Sequence, residues 1–227
     1  MSRSPRPIPQ QQDEPRRRAT TRRSVRGDVT RERILEAAAR AFDRRGYLGV
    51  NLNDVVQQLG LTKGALYHFF PNKERLATEI VRRHFAGWDR LASRVPGEHD
   101  NLVDALIDMS YRVGRDYQTD SFTRAAVRLQ NERNLIRTEL PEPFVGWIER
   151  VTQLLEAAKA RGEVRASVDS AAAAHLMVSF FYGAQAVSEH LTDRKDLLER
   201  LDTFWALMEP PLRPPRQAPG SITSPPA

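Results

Sequence analysis

The fold is decided by residues 61–70, which read LTKGALYHFF. An α-helix turns by about 100° per residue, so a helix over residues 63–70 has two distinct faces. One face carries polar side chains and a glycine, at Lys63, Gly64, Tyr67 and His68. The opposite face is apolar, at Ala65, Leu66, Phe69 and Phe70. A short helix that follows a glycine-containing turn and shows an outward polar face is typical of the recognition helix of a helix-turn-helix motif.

Two further helices are predicted before this one. The first is predicted over residues 29–45, with Asp28 as its N-cap and Gly46 directly after its end. The second is predicted to start after Asn51, where Asn51 and Asp54 resemble a capping box. Its apolar positions follow helical spacing, at Leu52, Val55, Val56 and Leu59. Three short helices joined by tight turns predict an all-α, DNA-binding head.

The polar face of the third helix and the start of a fourth predict where DNA is held. The residues expected to face the major groove are Lys63, Gly64, Tyr67 and His68. Hydroxyl groups, ammonium groups and helix N-termini bind phosphate oxygens, and the residues expected to do so are Thr62, Tyr67 and Lys73. Thr62 is also placed to cap the third helix. The fourth helix is predicted over residues 72–91 and would act as a lever, since it starts at the DNA and carries Phe85 and Trp88 towards the rest of the protein.

Charge is distributed unevenly along the 227 residues, whose formal net charge is +6. Residues 1–28 carry eight Arg against three acidic side chains, a balance of +5, and residues 29–75 carry eight basic and five acidic side chains, a balance of +3. Residues 76–209 carry 17 basic and 21 acidic side chains, a balance of −4. A basic first third on an acidic remainder fits a protein that approaches DNA with one end. We expect the Arg-rich N-terminal segment to add non-specific affinity for DNA.

Proline marks the ends of the folded part. Four of the 15 prolines lie in residues 1–28 and seven lie after residue 209, so few remain for the helical stretch between them. The predicted organisation is a disordered Arg- and Pro-rich tail over 1–27, a helix-turn-helix domain over 28–75, a helical ligand-binding and dimerisation body over 76–209, and a disordered Pro-rich tail over 210–227.

Several classes of protein are not supported by the sequence. Cysteine is absent, so disulfides and cysteine-ligated metals are excluded. The five histidines lack metal-ligand spacing, and no nucleophile elbow, nucleotide loop or zinc-protease motif occurs. The most apolar run, over residues 171–187, is interrupted by polar side chains and is expected to be a buried helix rather than a membrane span. We therefore expect a cytoplasmic regulator with no enzymatic activity, cofactor, metal or membrane partner.

The residues of the head resemble the TetR family. The resemblance runs without a gap over residues 29–76 and is carried by Ile34 to Ala38, Phe42, Arg45 to Tyr47, Leu61 to Tyr67 and Lys73 to Leu76. It implies an all-helical homodimer with a three-helix head and a ligand-binding body of six or more helices. One departure concerns the histidine that family members usually carry at the position of Phe69. Here His68 precedes that position, so the usual contact of that histidine with phosphate is either made by His68 or lost.

Two segments of the body resemble the receptors for γ-butyrolactone-type autoregulators, some of whose relatives answer furan carboxylic acids and which control antibiotic production. These segments are residues 126–130 and 140–147, which read AVRLQ and LPEPFVGW. The resemblance implies that Trp147 covers a ligand. The residues expected to line an apolar pocket with a few polar groups are Phe85, Trp88, Tyr111, Gln130, Phe144, Trp147, Phe181 and Gln185. Core filling is the alternative for each of the other aromatic residues.

The last two predicted helices indicate how a dimer forms. The helix over residues 171–191 is apolar nearly all round, and the helix over residues 196–208 has a wide apolar surface. The side chains expected to meet a second subunit are Met177, Phe180, Leu201 and Phe204. A twofold dimer matches a palindromic operator. The function expected is a repressor released by an autoregulator, and the alternatives are a drug-sensing repressor of an efflux pump and a non-specific architectural DNA-binding protein.

Overall fold

The computed structural model describes the backbone of residues 14–215 and the side chains from residue 27 onwards. Over these residues the chain is all-α, which confirms the predicted fold class, and it contains no strand. The helices within this range are α1 (Glu14–Gly49), α2 (Leu52–Leu59), α3 (Lys63–Phe69), α4 (Lys73–Arg94), α5 (Leu102–Thr119), α6 (Ser121–Asn131), α7 (Val145–Ala160), α8 (Ser170–Thr192) and α9 (Leu197–Leu212). No helix in this part of the chain is long and apolar enough to cross a membrane.

Helix α1 starts earlier than the sequence pattern indicated. It is continuous from Glu14, so Asp28 lies inside the helix and the N-cap assigned to it is wrong. Pro15 stands in the first turn, where its missing N–H has no intrahelical partner to lose. Residues 14–27 are therefore helical rather than part of a disordered tail, whereas residues 1–13 lie outside the described residues. The predicted end is confirmed, because the helix is interrupted at Gly46 with φ of 68°.

The caps of the head helices agree with the sequence in two cases and differ in one. The Thr62 hydroxyl caps α3 by accepting from the N–H of Ala65 at 3.2 Å. Asn51 caps α2, but its Oδ1 accepts from the N–H of Asn53 at 2.9 Å. Asp54 does not complete a capping box, because its carboxylate pairs with Arg45 at 2.8 Å. Local spacing therefore predicted the start of α2 correctly, but the Asp54 carboxylate is held by an ion pair with Arg45 instead of the capping box.

Two hydrophobic cores hold the chain together. The first lies between α1, α2, α3 and the first half of α4, and it includes the fully buried Phe42, Leu66 and Leu76. This core also contains residues of α6 and of the segment after it, namely Ala125, Ala126, Leu129, Ile136 and Leu140. The second core lies between α5, α7, α8 and α9. The head is thus packed directly on α6, which ties its position to that of the body.

The C-terminal boundary also differs from the prediction. Helix α9 continues through Pro210 and Pro211 to Leu212, whose side chain is buried. The carbonyl of Leu212 accepts from the N–H of Arg165 at 2.9 Å. The folded body therefore extends past residue 209, because burial of an apolar side chain holds the two prolines in the last turn. Residues 216–227 of the predicted tail lie outside the described residues.

Candidate functional site

Helix α3 presents the two faces that its sequence predicts. Lys63, Gly64 and His68 are exposed, and Tyr67 is 47% exposed. On the opposite face Leu66 is fully buried, and Phe70 directly after the helix is 3% exposed. The structure therefore leaves an ammonium, a phenol and an imidazole beside an accessible glycine backbone. This combination can reach base edges and phosphates in a major groove.

His68 and Phe69 depart from the usual order of the family, in which the histidine stands at the position of Phe69, and this difference affects the packing of α3. Phe69 is partly buried and packs against the head core. The exposed imidazole of His68 lies edge-on to the Phe69 ring, with the ring centroids 5.1 Å apart. The position where family members usually carry histidine is thus used for packing here. Any histidine contact with DNA must come from His68.

Lys73 is placed differently from the prediction that its ammonium holds a phosphate. Its Nζ donates to the carbonyls of Tyr47 at 2.8 Å and Val50 at 3.1 Å. The same ammonium lies 4.5 Å from the centroid of the Tyr47 ring, and burial lowers the pKa of Lys73. An ammonium has three donors, and two of them are used inside the head. Lys73 therefore joins the end of α1 and the residue after it to the start of α4.

An apolar cavity of about 60 Å³ lies inside the body. Its lining comes from five helices, with Trp88 of α4, Leu106, Met109, Ser110 and Val113 of α5, Trp147 and Val151 of α7, Met177, Val178, Phe180 and Phe181 of α8, and Leu201, Phe204 and Trp205 of α9. The rings of Trp88 and Trp147 are 4.6 Å apart at its edge. One water molecule needs roughly 10–15 Å³ of cavity volume, so this cavity has room for only a few water molecules. An acyl chain of several carbons therefore fits only if these side chains move.

A second cavity of about 40 Å³ lies next to the first, and we call it the amide cavity. It is lined by His84, Phe85, Tyr117, Val127, Gln130, Asn131, Pro143, Phe144, Trp147, Phe181 and Tyr182. Trp147 and Phe181 line both cavities, with their ring centroids 6.4 Å apart. One molecule that displaces these rings could occupy both spaces.

Six of the eight predicted ligand residues line these two cavities, at Phe85, Trp88, Gln130, Phe144, Trp147 and Phe181. Tyr111 and Gln185 do not. The Tyr111 hydroxyl donates to Asp202 of α9, so this side chain crosses to a neighbouring helix instead of pointing inwards. Gln185 is only 2% exposed on α8 but lines neither cavity. The helical spacing of apolar residues does not indicate which buried face of α8 borders a cavity.

The polar groups of the amide cavity are amides and neutral rings. Gln130 is 9% exposed, and its Nε2 donates to the carbonyl of Pro141 at 2.9 Å. Its Oε1 is buried without a hydrogen-bond partner. Burial lowers the pKa of His84 to about 4, so the imidazole is neutral at neutral pH. Burial also raises the pKa of Tyr117. The Tyr182 hydroxyl donates to Oδ1 of Asn131 at 3.0 Å.

Six lining residues of the amide cavity are not among the predicted ligand residues, namely His84, Tyr117, Val127, Asn131, Pro143 and Tyr182. For His84, the sequence contains a signal. His84 lies four residues before Trp88 and so shares its helix face. Tyr117 gave no such signal, because its position depends on how α5 packs against α8, where the Tyr117 and Phe181 rings meet at 5.7 Å.

Helix α6 connects the body to the head through a charged contact. Nε and Nη2 of Arg124 donate to one carboxylate oxygen of Asp43 in α1, at 3.0 and 2.9 Å. Both side chains are largely shielded, with exposures of 19% and 17%. Arg128 donates to the Asp43 carbonyl at 2.8 Å. We call these three residues the α6–α1 clamp.

The segment after α6 makes a second link between the amide cavity and the head. Gln130 holds Pro141 of this segment at the cavity, as described above. Further along it, the N–H of Arg137 donates to Oε1 of Glu74 in the first turn of α4, at 3.0 Å. Ile136 and Leu140 are buried in the head core. Residues 137–141 therefore connect Gln130 at the cavity to the start of α4.

The predicted dimer residues lie inside the protomer. Leu201 is 1% exposed, Met177 and Phe204 are 7% and 8% exposed, and the Phe180 ring stacks on Phe204 at 4.0 Å. The assignment of Met177, Leu201 and Phe204 to a subunit interface is wrong, because α8 and α9 use this face to close the body's own core. Phe180 is partly exposed and packs against the same core. Other large apolar side chains on these helices are exposed, at Leu176, Val187, Leu191 and Leu207.

Comparison with known proteins places both halves of the chain in one family. The family description of bacterial regulatory proteins of the tetR family matches residues 34–80, and that of the tetracyclin repressor-like C-terminal domain matches residues 101–214. The chain belongs to the TetR family. It is therefore a DNA-binding transcriptional regulator rather than an enzyme.

Similar proteins agree with this assignment over most of the chain. The A-factor receptor protein of Streptomyces griseus is 30% identical over 85% of this chain and 67% of its own length. A structure described as the molecular basis for control of antibiotic production by a bacterial hormone is 39% identical, with a TM-score of 0.76, and covers 82% of this chain and 98% of its own. A γ-butyrolactone receptor described as ArpA-like is 30% identical, with a TM-score of 0.69, and covers 84% of this chain and 90% of its own.

Proposed function

We propose that the protein is a repressor that binds a palindromic operator as a homodimer and is released by a small autoregulator of the γ-butyrolactone or furan carboxylic acid type. The observation that carries the proposal is the pair of adjoining cavities in the body, which meet at Trp147 and are both lined by residues of α4. The similarity to receptors of bacterial hormones and γ-butyrolactones supports the ligand class. We further propose that its target genes belong to antibiotic or other secondary metabolism.

Operator recognition is assigned to the exposed face of α3. Its members are Lys63, Gly64, Tyr67 and His68, as the sequence predicts. Phosphate contacts are assigned to the hydroxyls of Thr62 and Tyr67, and to the backbone N–H groups at the start of α4. Lys73 supports this surface from inside, since it fixes the loop before α2 against α4.

The homodimer is assigned to the exposed faces of α8 and α9. Leu176, Val187 and Leu191 recur along α8 at spacings of eleven and four residues, which keeps them on one side of the helix. Leu207 is 72% exposed on α9. Large exposed apolar side chains grouped on adjacent helices mark an association surface, and a second copy of the chain is the partner that a palindromic operator requires.

Release is assigned to movement of α4. This helix begins beside α3 and places Phe85 in the amide cavity and Trp88 in the apolar cavity. A ligand with an acyl chain must displace Trp88 and Trp147, because the apolar cavity is too small for it. Binding therefore favours an arrangement of α4 different from the one that fits DNA, and only such differential affinity can shift the equilibrium.

Operator selection and competition test the proposal. The full chain is used to select a binding site from random duplexes, and its affinity for that site is compared with scrambled DNA at one salt concentration. We expect a palindrome bound at least about a thousandfold more tightly than scrambled DNA, and loss of the complex when an acyl-chain γ-butyrolactone is added. Equal affinity for both duplexes would instead identify a non-specific architectural protein.

A further inference from the structure

We infer that Arg137, a residue of the body, binds a backbone phosphate of the DNA beside the start of α4. This inference rests on the proposed function, which assigns a phosphate to the first N–H groups of α4. It goes beyond that function, because Arg137 lies in the segment between α6 and α7 and so outside the helix-turn-helix domain. The DNA-binding surface is then built from two separate parts of the chain.

The backbone of Arg137 is fixed against the first turn of α4. Its N–H donates to Oε1 of Glu74 at 3.0 Å. Glu74 is the second residue of α4, whose N-cap is Asn72. Ile136, directly before Arg137, is buried in the head core, and so is Leu140. Two buried side chains and one hydrogen bond therefore hold this body residue next to the end of α4 that is expected to meet DNA.

The side chain of Arg137 is exposed and available to an anion. Other arginines of α6 and of the segment after it are paired, since each contacts a carboxylate: Arg124 with Asp43, Arg128 with Glu132, and Arg133 with Glu142. Within the described part of the chain, Arg137 forms no such ion pair. An exposed guanidinium that the protein itself does not neutralise can bind a phosphate without first breaking an internal contact.

Arg137 supplies positive charge where the lysine of α4 does not. The ammonium of Lys73 is turned inwards, to the carbonyls of Tyr47 and Val50. The charge of Arg137 lies in the same neighbourhood. Burial raises the pKa of Tyr47, the Glu74 carboxylate raises it further, and the Arg137 guanidinium lowers it. The start of α4 therefore has a cation beside it that comes from the neighbouring segment.

The groups around Arg137 fit a phosphate. Oδ1 of Asn72 accepts from the N–H of Arg75 at 2.8 Å, and the N–H groups of Lys73 and Glu74 have no acceptor within the helix. A guanidinium beside two such N–H groups can donate to the oxygens of one phosphate. Glu74 is the acidic residue of this first turn, and its charge is opposed by Arg137 and by the exposed Arg75.

The salt dependence of DNA binding by the full chain tests the inference. Fluorescence anisotropy measures the affinity for the selected operator and for a scrambled duplex, between about 50 and 200 mM salt. Arg137→Gln keeps the backbone N–H and removes the charge. On both duplexes we expect the slope of log affinity against log salt concentration to become shallower by about 0.9, and the affinity at about 100 mM salt to fall five- to tenfold. Arg137→Lys keeps the charge and should retain the wild-type slope.

Arg90→Gln is the matched control. Arg90 is also an exposed arginine, but it lies roughly 24 Å along α4 from Glu74 at 1.5 Å per residue. This variant removes the same charge away from the start of the helix. We expect an unchanged slope and an affinity within about twofold of the wild type, because salt screens charges at this separation.

Phosphate ethylation interference locates the contact on the operator. In the wild type, ethylation of the phosphate that meets the start of α4 should weaken binding. In Arg137→Gln the same ethylation should have a smaller effect, whereas the phosphates contacted by α3 should keep theirs. Thermal unfolding shows whether each variant is folded.

The outcomes separate this inference from the function on which it rests. Equal slopes for the wild type and Arg137→Gln overturn it, as does an equal change in Arg90→Gln. A loss of affinity without a change in slope also overturns it, because Arg137 would then act through the packing of the head. In each of these cases a preserved preference for the operator leaves the proposed function standing. If no specific operator exists, the proposed function fails, and the scrambled duplex still decides whether Arg137 binds a phosphate.

Discussion

At the scale of single residues, Trp147 makes two kinds of contact. It lines both cavities, and its ring lies 4.6 Å from that of Trp88 on α4. Trp147 therefore borders the proposed ligand site and also contacts α4, the helix that follows α3. The contact between these two indoles therefore joins the wall of both cavities to α4.

Replacing Trp147 by Ala should weaken the ligand response. Under the proposed function, the variant loses a ring that lines both cavities and its contact with Trp88. We therefore expect the concentration of acyl-chain γ-butyrolactone that halves operator binding to rise at least about tenfold, equivalent to about 1.4 kcal/mol. Fluorescence anisotropy of a labelled operator measures this concentration for each variant at the same fractional saturation. Val145→Ala, an exposed position in the first turn of α7, is the control. An unchanged concentration for Trp147→Ala would remove this residue from the ligand site.

His84 makes the stability of the body depend on pH. Burial lowers its pKa from 6.5 to about 4 in the folded protein, so the unfolded chain binds a proton at higher pH than the folded one. Stability is then fully present above about pH 6.5 and is lost as the pH falls towards 4, by at most about 3 kcal/mol. Urea unfolding of the wild type and of His84→Gln should show a smaller loss over this range in the variant. His190→Gln, an exposed site on α8, should behave as the wild type does.

At the scale of elements, α8 and α9 each have two apolar faces with different tasks. One face, with Phe180 and Leu201, closes the core of the body. The other carries Leu176 and Leu207, which are 53% and 72% exposed. A helix that is apolar nearly all round must be covered on more than one side, and in this structure one of those sides is exposed. The proposed dimer would cover it.

Charge on the outer face should separate the subunits without unfolding them. The double variant Leu176→Asp and Leu207→Asp would place two unpaired charges in a dimer interface, which is strongly unfavourable. Sedimentation should show a wild-type dimer at micromolar concentration and a folded monomer for the variant, with helicity unchanged. Leu48→Asp, which is equally exposed but lies in the head, should remain dimeric. A dimeric double variant would place the interface elsewhere.

The α6–α1 clamp should contribute to the stability of the head. Asp43→Asn removes the charge that Arg124 holds in a shielded position, so we expect a loss of about 1–3 kcal/mol. A double-mutant cycle with Arg124→Gln, measured by urea unfolding at one protein concentration, isolates the pair. The more exposed pair of Arg83 and Glu32 is the matched control, and its cycle should give less than about 1 kcal/mol. Equal coupling energies would show that burial does not strengthen the clamp.

At the scale of the whole molecule, the basic end of the chain lies at the DNA-binding head and the acidic body follows it. This polarity orients the protein towards a duplex over distances comparable with the Debye length. The eight Arg of residues 1–28 supply most of the positive balance. Six of them, from Arg16 to Arg26, lie in the first part of α1.

Removing residues 1–26 should weaken DNA binding through charge. We expect a larger loss of affinity at about 50 mM salt than at about 200 mM salt, and a smaller slope of log affinity against log salt concentration. Changing six of the arginines to Gln keeps the length of the chain and tests charge alone, at Arg16, Arg17, Arg18, Arg22, Arg23 and Arg26. This variant should reproduce most of the effect of the deletion. The same loss at both salt concentrations would assign the segment a role other than electrostatic attraction.

The sequence by itself determined the local features of this protein. The caps at Asn51 and Thr62, the break at Gly46 and the two faces of α3 follow from interactions within a few residues, which a pattern records directly. The same holds for the all-α class, since helical spacing of apolar side chains extends through most of the chain. Trp147 and Gln130 were found through short stretches that resemble known receptors.

Only the tertiary structure decided which apolar face meets which neighbour. The spacing of α8 does not distinguish Phe180, which faces the core, from Leu176, which faces outwards, because both lie on apolar sides of one helix. Lys73 was predicted to bind phosphate because an ammonium near the start of a helix can do so. In the structure its ammonium instead donates to the carbonyls of Tyr47 and Val50, which are distant in sequence. The orphaned oxygen of Gln130 likewise depends on where Pro141 lies. Contacts between distant residues are set by how the helices pack, and no local pattern contains that information.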